Sequence, residues 1–171
     1  MIGRPQANEA ASDYFKYINR VPEDDGLRAI ESQLDESLAF LRGISEERSL
    51  HRYAPAKWSM RQLLNHVTDT ERAFAYRALW IARGFQEPLI SYDQVIAATG
   101  AGADKVAWQA HVEEFRWVRQ ATISLFRNLP AEAWTRTGVV SDNRFSVRAL
   151  AFIIPGHVSH HIAILRERYL R

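Results

Sequence analysis

Apolar residues recur at steps of three and four along most of the chain, which is the spacing of an amphipathic α-helix. The first such run consists of Leu27, Ile30, Leu34, Leu38 and Leu41. The same pattern predicts helices over about 59–83, about 104–127 and from about 146 to the end, with a short helix over about 10–18. Four main helices predict an all-α four-helix bundle over residues 25–171, preceded by an N-terminal extension over residues 1–24.

The second predicted helix has the clearest boundaries. Ser59 followed by Gln62 three residues later is the pattern of a capping box, and Gly84 is typical of a helix end. The segment 85–102 is a long connector between the second and third helices, and it is compatible with an antiparallel arrangement of helices two and four. The link over 129–144 is irregular and has room for a short extended stretch.

A proline lies inside the fourth predicted helix. Because Pro155 has no N–H and its ring clashes with the preceding turn, we expect a kink or a break there. Either would come directly before the histidines and could change the register of His157.

Composition and charge narrow the class of protein. The 171 residues carry a net charge of +2 and no cluster of basic residues, which argues against nucleic-acid or anionic-membrane binding. The absence of cysteine excludes disulfides, thiolate metal sites and a cysteine nucleophile. No apolar run approaches the ~18 residues of a membrane span, and the N-terminus lacks a signal-peptide core, so we expect a soluble cytoplasmic protein.

Three of the six histidines fall within the five residues HVSHH at 157–161. On a helical wheel, His161 and His157 lie about 40° and about 80° from the centre of the apolar face. They form an i, i+4 pair on one edge of that face, within reach of one ion. His160 lies about 140° away and is expected to point outward or toward a partner, with a supporting role beside the metal ligands as the alternative. The alternative is that these are ordinary buried or boundary histidines.

The second predicted helix offers a third ligand and two supporting residues. His66 lies at a similar edge of the apolar face, and antiparallel helices would bring it to roughly the depth of the other pair. Asp69, three residues on, could orient the His66 ring through its second nitrogen, or be a solvated acid. Arg77 lies on the same edge and could hold an anionic substrate group, or form a surface salt bridge.

Three neutral imidazoles would leave a coordination position open, as in catalytic zinc sites. Nitrogen ligands suit Zn²⁺ or Ni²⁺, with Fe²⁺ and Co²⁺ as alternatives. A general base is not identifiable, since Glu71 falls toward the flank of its helix. His111 is interpreted as a core residue, with contact to the metal site as the alternative, and His51 is interpreted as a surface residue.

Two segments resemble the DinB/YfiT-like superfamily of metal-binding four-helix bundles. YAPAKWSMRQLLNHVTDTER at 53–72 is similar to the family's Trp-Ser helix start with its following His and Asp, and GHVSHHIAILRERYL at 156–170 is similar to its final HxxxH. The resemblance extends over roughly 25–170. It implies that His66, His157 and His161 bind a divalent metal, that helices two and four are antiparallel, and that the chain forms a homodimer.

The resemblance also implies two reactions on a small-molecule substrate. Some relatives transfer low-molecular-weight thiols, and others are regarded as hydrolases. The leading hypothesis is therefore metal-assisted hydrolysis or thiol transfer at a three-histidine site. The competing hypothesis is a non-catalytic helical dimer or scaffold in which any metal is structural.

Overall fold

The computed structural model describes residues 2–170. Over this part of the chain the regular elements are α1 (Phe15–Ile18), α2 (Gly26–Arg42), α3 (Met60–Ala82), α4 (Gln94–Gly100), α5 (Trp108–Arg127), β1 (Thr137–Val140), β2 (Asn143–Ser146) and α6 (Val147–Ile164). The long helices α2, α3, α5 and α6 form the bundle, in which α3 and α2 each pack against both α5 and α6. A π-helical turn, Leu165–Tyr169, extends α6.

The start of α3 follows the predicted capping pattern. The Gln62 backbone N–H donates to Ser59 Oγ at 3.1 Å, and the Ser59 N–H donates to Gln62 Oε1 at 3.0 Å. These reciprocal bonds satisfy amides that have no partner inside the helix. Gly84 follows the last turn with a φ of +85°, a left-handed conformation that suits glycine. Both predicted boundaries of this helix are confirmed.

A β-hairpin corrects the all-α prediction. β1 and β2 pair antiparallel within the predicted irregular link. The two residues between them, Ser141 and Asp142, have positive φ values of 48° and 63°, as a type I′ turn requires. Leu89 of the connector bonds to the hairpin, donating to the Val139 carbonyl at 3.0 Å. The hairpin therefore anchors the connector, including α4, beside α3.

Helix α6 continues through Pro155, so the predicted break is absent. The Gln33 side-chain amide donates to the Pro155 carbonyl and to Ser159 Oγ, both at 2.8 Å. Its oxygen accepts a bond from Arg119, which is itself held by a fully buried bidentate ion pair with Glu71. This polar network joins α2, α3 and α5 to α6 around the proline. The helical register of the following histidines is preserved.

Contacts at both ends join α3 to the α6 segment. The Tyr169 hydroxyl donates to the Trp58 carbonyl at 2.7 Å, just before α3 begins. At the other end, Arg136, which precedes the hairpin leading into α6, donates to the Ala82 carbonyl.

Two clusters of buried apolar side chains form the core. One includes Phe74 and Ile154, and the other includes Val67 and Val158. The clusters meet across the middle of α3 and α6. None of the helices in residues 2–170 has the length and apolar character of a membrane span.

Candidate metal centre

Three histidines from two helices meet where the two apolar clusters adjoin. His66 lies on α3, and His157 and His161 lie one turn apart on α6. One ring nitrogen of each lies within 4.8 Å of the other two, and the Nε2 atoms of His157 and His161 are 3.1 Å apart. Two nitrogens bound to one tetrahedral ion at about 2.0–2.1 Å lie about 3.3 Å apart, close to the separation of the two Nε2 atoms. The fold thus brings the i, i+4 pair on α6 together with His66 on α3, as the sequence predicts.

Burial keeps the three imidazoles uncharged. Desolvation lowers the pKa of His66 to about 4. Desolvation also lowers the pKa of His161 to about 3, with smaller contributions from His66 and His160. The pKa of His157 is held well below its usual range by desolvation and then by the neighbouring histidines. All three rings therefore keep free lone pairs at neutral pH, which is the state that binds metals.

The chemistry of this donor set fits a divalent transition-metal ion. Nitrogen ligands suit such ions, and three of them leave at least one position for water or substrate. The cluster contains no carboxylate ligand among residues 2–170. His161 Nδ1 is buried and has no hydrogen-bond partner within this described range, whereas Nε2 of the same ring faces His157 Nε2.

The residues beside the ligands differ in part from those predicted. Thr70 Oγ1, rather than the Asp69 carboxylate, lies beside His66 Nδ1, at 3.3 Å. Asp69 instead accepts a hydrogen bond from Arg72 at 2.9 Å. The reason is geometric, because Thr70 lies four residues from His66 and shares its helix face more closely. His160 is half-buried and packs edge-on against Tyr17, with ring centroids 5.4 Å apart.

A cavity of about 600 Å³ opens beside the histidines. His66 and His157 line it, together with Arg77 from α3 and Tyr92 from the connector. Arg77 is buried, and burial lowers its pKa, an effect that Tyr14 partly opposes. The surface salt bridge considered for Arg77 is absent among the ion pairs of residues 2–170.

The other candidates lie away from the cluster. Glu71 is engaged by Arg119, which leaves it unsuited to act as a base. His111 is buried and its Nε2 lies 2.9 Å from the Ala103 carbonyl, consistent with the predicted core position. His51 is exposed, as expected.

The sequence pattern did not predict the tyrosines that line the cavity. Tyr14 and Tyr17 come from the N-terminal segment, and Tyr92 comes from the connector. The Tyr17 ring packs edge-on against His157, with centroids 5.2 Å apart. These segments have weak periodicity, so no local signal places their aromatic side chains at the site.

The sequence profile of the DinB superfamily matches residues 29–165. The chain belongs to the DinB superfamily. The match includes the three histidines, the whole of the first motif segment at 53–72, and the second segment as far as residue 165. No curated protein matches the sequence at a significant level.

Among solved structures, this DinB chain is similar to YfiT from Bacillus subtilis, described as a probable metal-dependent hydrolase with an unusual four-helix bundle topology. The TM-score is 0.72 and the sequences are 16% identical, with 95% of this chain and 89% of YfiT covered. At this identity the likeness establishes the fold.

Proposed function

We propose that this DinB protein is a metal-dependent hydrolase of a small-molecule substrate, with one divalent ion held by His66, His157 and His161. The observation that carries the proposal is the convergence of three imidazoles, of which the two buried ones, His66 and His157, line a cavity of about 600 Å³. Cavities of roughly 300–1,000 Å³ are typical of small-molecule sites. The description of YfiT as a metal-dependent hydrolase supports the same reaction class.

Zn²⁺ and Ni²⁺ are the favoured ions, with Fe²⁺ and Co²⁺ as alternatives, because all accept imidazole nitrogen. When bound, such an ion polarises a carbonyl or phosphoryl oxygen and makes water or a thiol more acidic. The histidines hold the ion at the cavity wall, and the aromatic side chains around them orient the substrate and exclude bulk water.

Thiol transfer is the second candidate reaction. It uses the same centre, and the cavity has room for a small thiol beside an electrophile. Enhancement of turnover by added cysteine or glutathione would favour transfer over hydrolysis.

The proposal also concerns the relative direction of two helices and the oligomeric state of the protein. We propose that α3 and α6 run antiparallel, which is supported by the contacts of Tyr169 with Trp58 and of Arg136 with Ala82. The homodimer implied by the resemblance and the cytoplasmic location expected from the composition are also part of the proposal. Sedimentation equilibrium of the untagged protein measures the oligomeric state.

Metal analysis of protein purified without a histidine tag tests the centre directly. We expect about one divalent ion per chain in the wild type, because three ligands converge on one point. His161→Ala removes one ligand and should weaken metal affinity at least ~10-fold, since losing even a residue that supports a ligand has an effect of this size. Hydrolysis of a panel of nitrophenyl esters and phosphates should fall in parallel.

His51→Ala is the matched control, because it removes an exposed histidine away from the centre. It should keep the metal content and activity of the wild type. Equal metal content in the wild type and His161→Ala would contradict the assignment of His161 as a ligand of the metal centre. Equal rates with and without metal would contradict the hydrolase proposal.

A further inference from the structure

Arg77 differs from the other buried arginines of residues 2–170 in having no acidic partner. Arg61 pairs with Glu46, and Arg119 pairs with Glu71. No ion pair within this range includes Arg77, although Arg77 is only 8% exposed to solvent. A buried charge without an acidic partner is costly, and the Tyr14 side chain offsets that cost only in part.

The position of Arg77 connects it to the histidine cluster. Its side chain lines the same cavity as His66 and His157. The Phe74 ring neighbours both groups, with its centroid 5.5 Å from Arg77 Cζ and 6.0 Å from the His157 ring centroid. The guanidinium carbon is therefore no more than about 11.5 Å from the His157 ring, a distance that one small organic molecule can span.

The carboxylates that line the cavity do not neutralise Arg77. Asp93 accepts bonds from the Val95 and Ile96 backbone amides, which cap α4. Asp13 is exposed and forms no ion pair among the residues described. Lys16 is also exposed, and its ammonium lies over the Tyr17 ring, 5.0 Å from the centroid. Arg77 is thus the cation in the buried part of the cavity wall.

We infer that the substrate carries an oxyanion, a carboxylate or a phosphate, which Arg77 binds while the reacting bond lies at the histidines. This inference rests on the proposed function for the reacting bond but not for the anion site. The planar guanidinium suits both oxyanions, because its N–H groups match two oxygens of either. The Phe74 and Tyr14 rings beside it form the apolar part of the binding site.

Calorimetric titration of the full-length chain tests the anion site, with and without bound Zn²⁺. The probes are benzoate, phenyl phosphate and the neutral benzamide. In the metal-free wild type we expect both anions to bind more tightly than benzamide, and the tighter of the two identifies the class of oxyanion. Arg77→Met should weaken anion binding about 10- to 100-fold, the range expected for hydrogen bonds between charged groups. Arg77→Lys should lose less, because it keeps the charge.

Arg72→Met is the matched control on the same helix. Arg72 is exposed and is paired with Asp69 and Glu114. It lines a second cavity that Arg77 also borders but not the cavity of the histidines, so anion binding beside the histidines should be unchanged. We also expect Arg77→Met to melt no lower than the wild type, since it removes an unpaired buried charge. A purely structural arginine would give a lower melting temperature.

Unchanged anion affinity in Arg77→Met would overturn the inference, as would an equal loss of affinity in Arg72→Met. A wild type that does not distinguish benzoate and phenyl phosphate from benzamide would also overturn it. The decisive titrations use metal-free protein. A failure of metal binding would therefore contradict the proposed function, but the measured anion affinities would still test the role of Arg77.

Discussion

A histidine ligand must be uncharged before it can bind a metal, and burial meets that requirement at this site. Desolvation is the largest cause of the lowered pKa of each of the three rings, because it disfavours the imidazolium. The rings also lie close to one another, so a proton on one further disfavours a proton on the next. The same arrangement makes the metal-free site sensitive to acid.

We expect the metal-free protein to lose stability as the pH falls from 7 to 5. A histidine in the unfolded chain titrates near 6.5, whereas the native pKa values of His66 and His161 are about 4 and about 3. The unfolded state therefore binds more protons in this range, and the free energy of unfolding decreases as the pH falls. The limiting slope is ~1.4 kcal/mol per pH unit for each such histidine. Urea denaturation at pH 7, 6 and 5 measures it.

His161→Gln provides the comparison for this slope. The substitution removes one group that takes up a proton on unfolding, so stability should depend less steeply on pH, by up to ~1.4 kcal/mol per unit. His51→Gln, at an exposed position, should keep the wild-type slope. Parallel slopes for His161→Gln and the wild type would contradict the neutral state assigned to the His161 ring.

At the scale of elements, α1 packs against α6 beside the centre. Gly156 makes this approach possible, because a Cβ there would lie 2.1 Å from the Tyr17 carbonyl oxygen and 3.1 Å from the Tyr17 Cα. These are main-chain atoms, which cannot rotate away as a side chain can. The contact holds the Tyr17 ring against His157, and it explains the use of glycine inside a helix.

Gly156→Ala should destabilise the protein by about 1–3 kcal/mol, the usual cost of overpacking, although alanine favours the helix by about 1 kcal/mol. The midpoint of urea denaturation measures the effect. Gly100→Ala, at the end of α4, is the control because no atom lies within 4 Å of its added Cβ. It should be neutral or slightly stabilising. Equal midpoints for Gly156→Ala and the wild type would show that α1 is not fixed against α6.

At the scale of the whole molecule, apolar packing forms the bundle on both sides of the histidines. Ile154 belongs to one buried cluster and Val158 to the other, with His157 between them. The Arg119–Glu71 pair and the Gln33 bonds join α6 to the other long helices independently of any ion. The fold is therefore expected to form before a metal binds.

Chelation should abolish activity and lower the melting temperature only modestly. An ion present at 100 times its dissociation constant contributes ~2.7 kcal/mol to stability, and its removal leaves the apolar core intact. Circular dichroism melts before and after treatment with a chelator measure the change, and restored activity on returning Zn²⁺ or Ni²⁺ is the control. A large loss of structure in a protein that turns over no substrate would instead favour the scaffold hypothesis, in which the metal is structural.

The sequence by itself determined the features that depend on neighbours along the chain. The Ser59–Gln62 capping box, the end of α3 at Gly84 and the shared face of His157 and His161 all follow from helical geometry over three or four residues. The hairpin was less predictable because Ser141 and Asp142 are weaker turn signals than Asn-Gly or Asp-Gly. Asp69 was predicted to contact the His66 ring, but Thr70, one residue further along the helix, lies closer to the face of His66 and contacts it instead.

Only the tertiary structure decided which distant groups share a surface. It places Tyr17 against His157 and bonds Gln33 of α2 to the Pro155 carbonyl within the continuous helix α6. It also pairs Glu71 with Arg119, whereas Arg77 has no acidic partner among residues 2–170. These outcomes depend on the packing of segments tens of residues apart, and the periodicity of one helix carries no information on the charge or shape of another. Local geometry therefore predicted the ligands, whereas long-range packing decided the cavity around them.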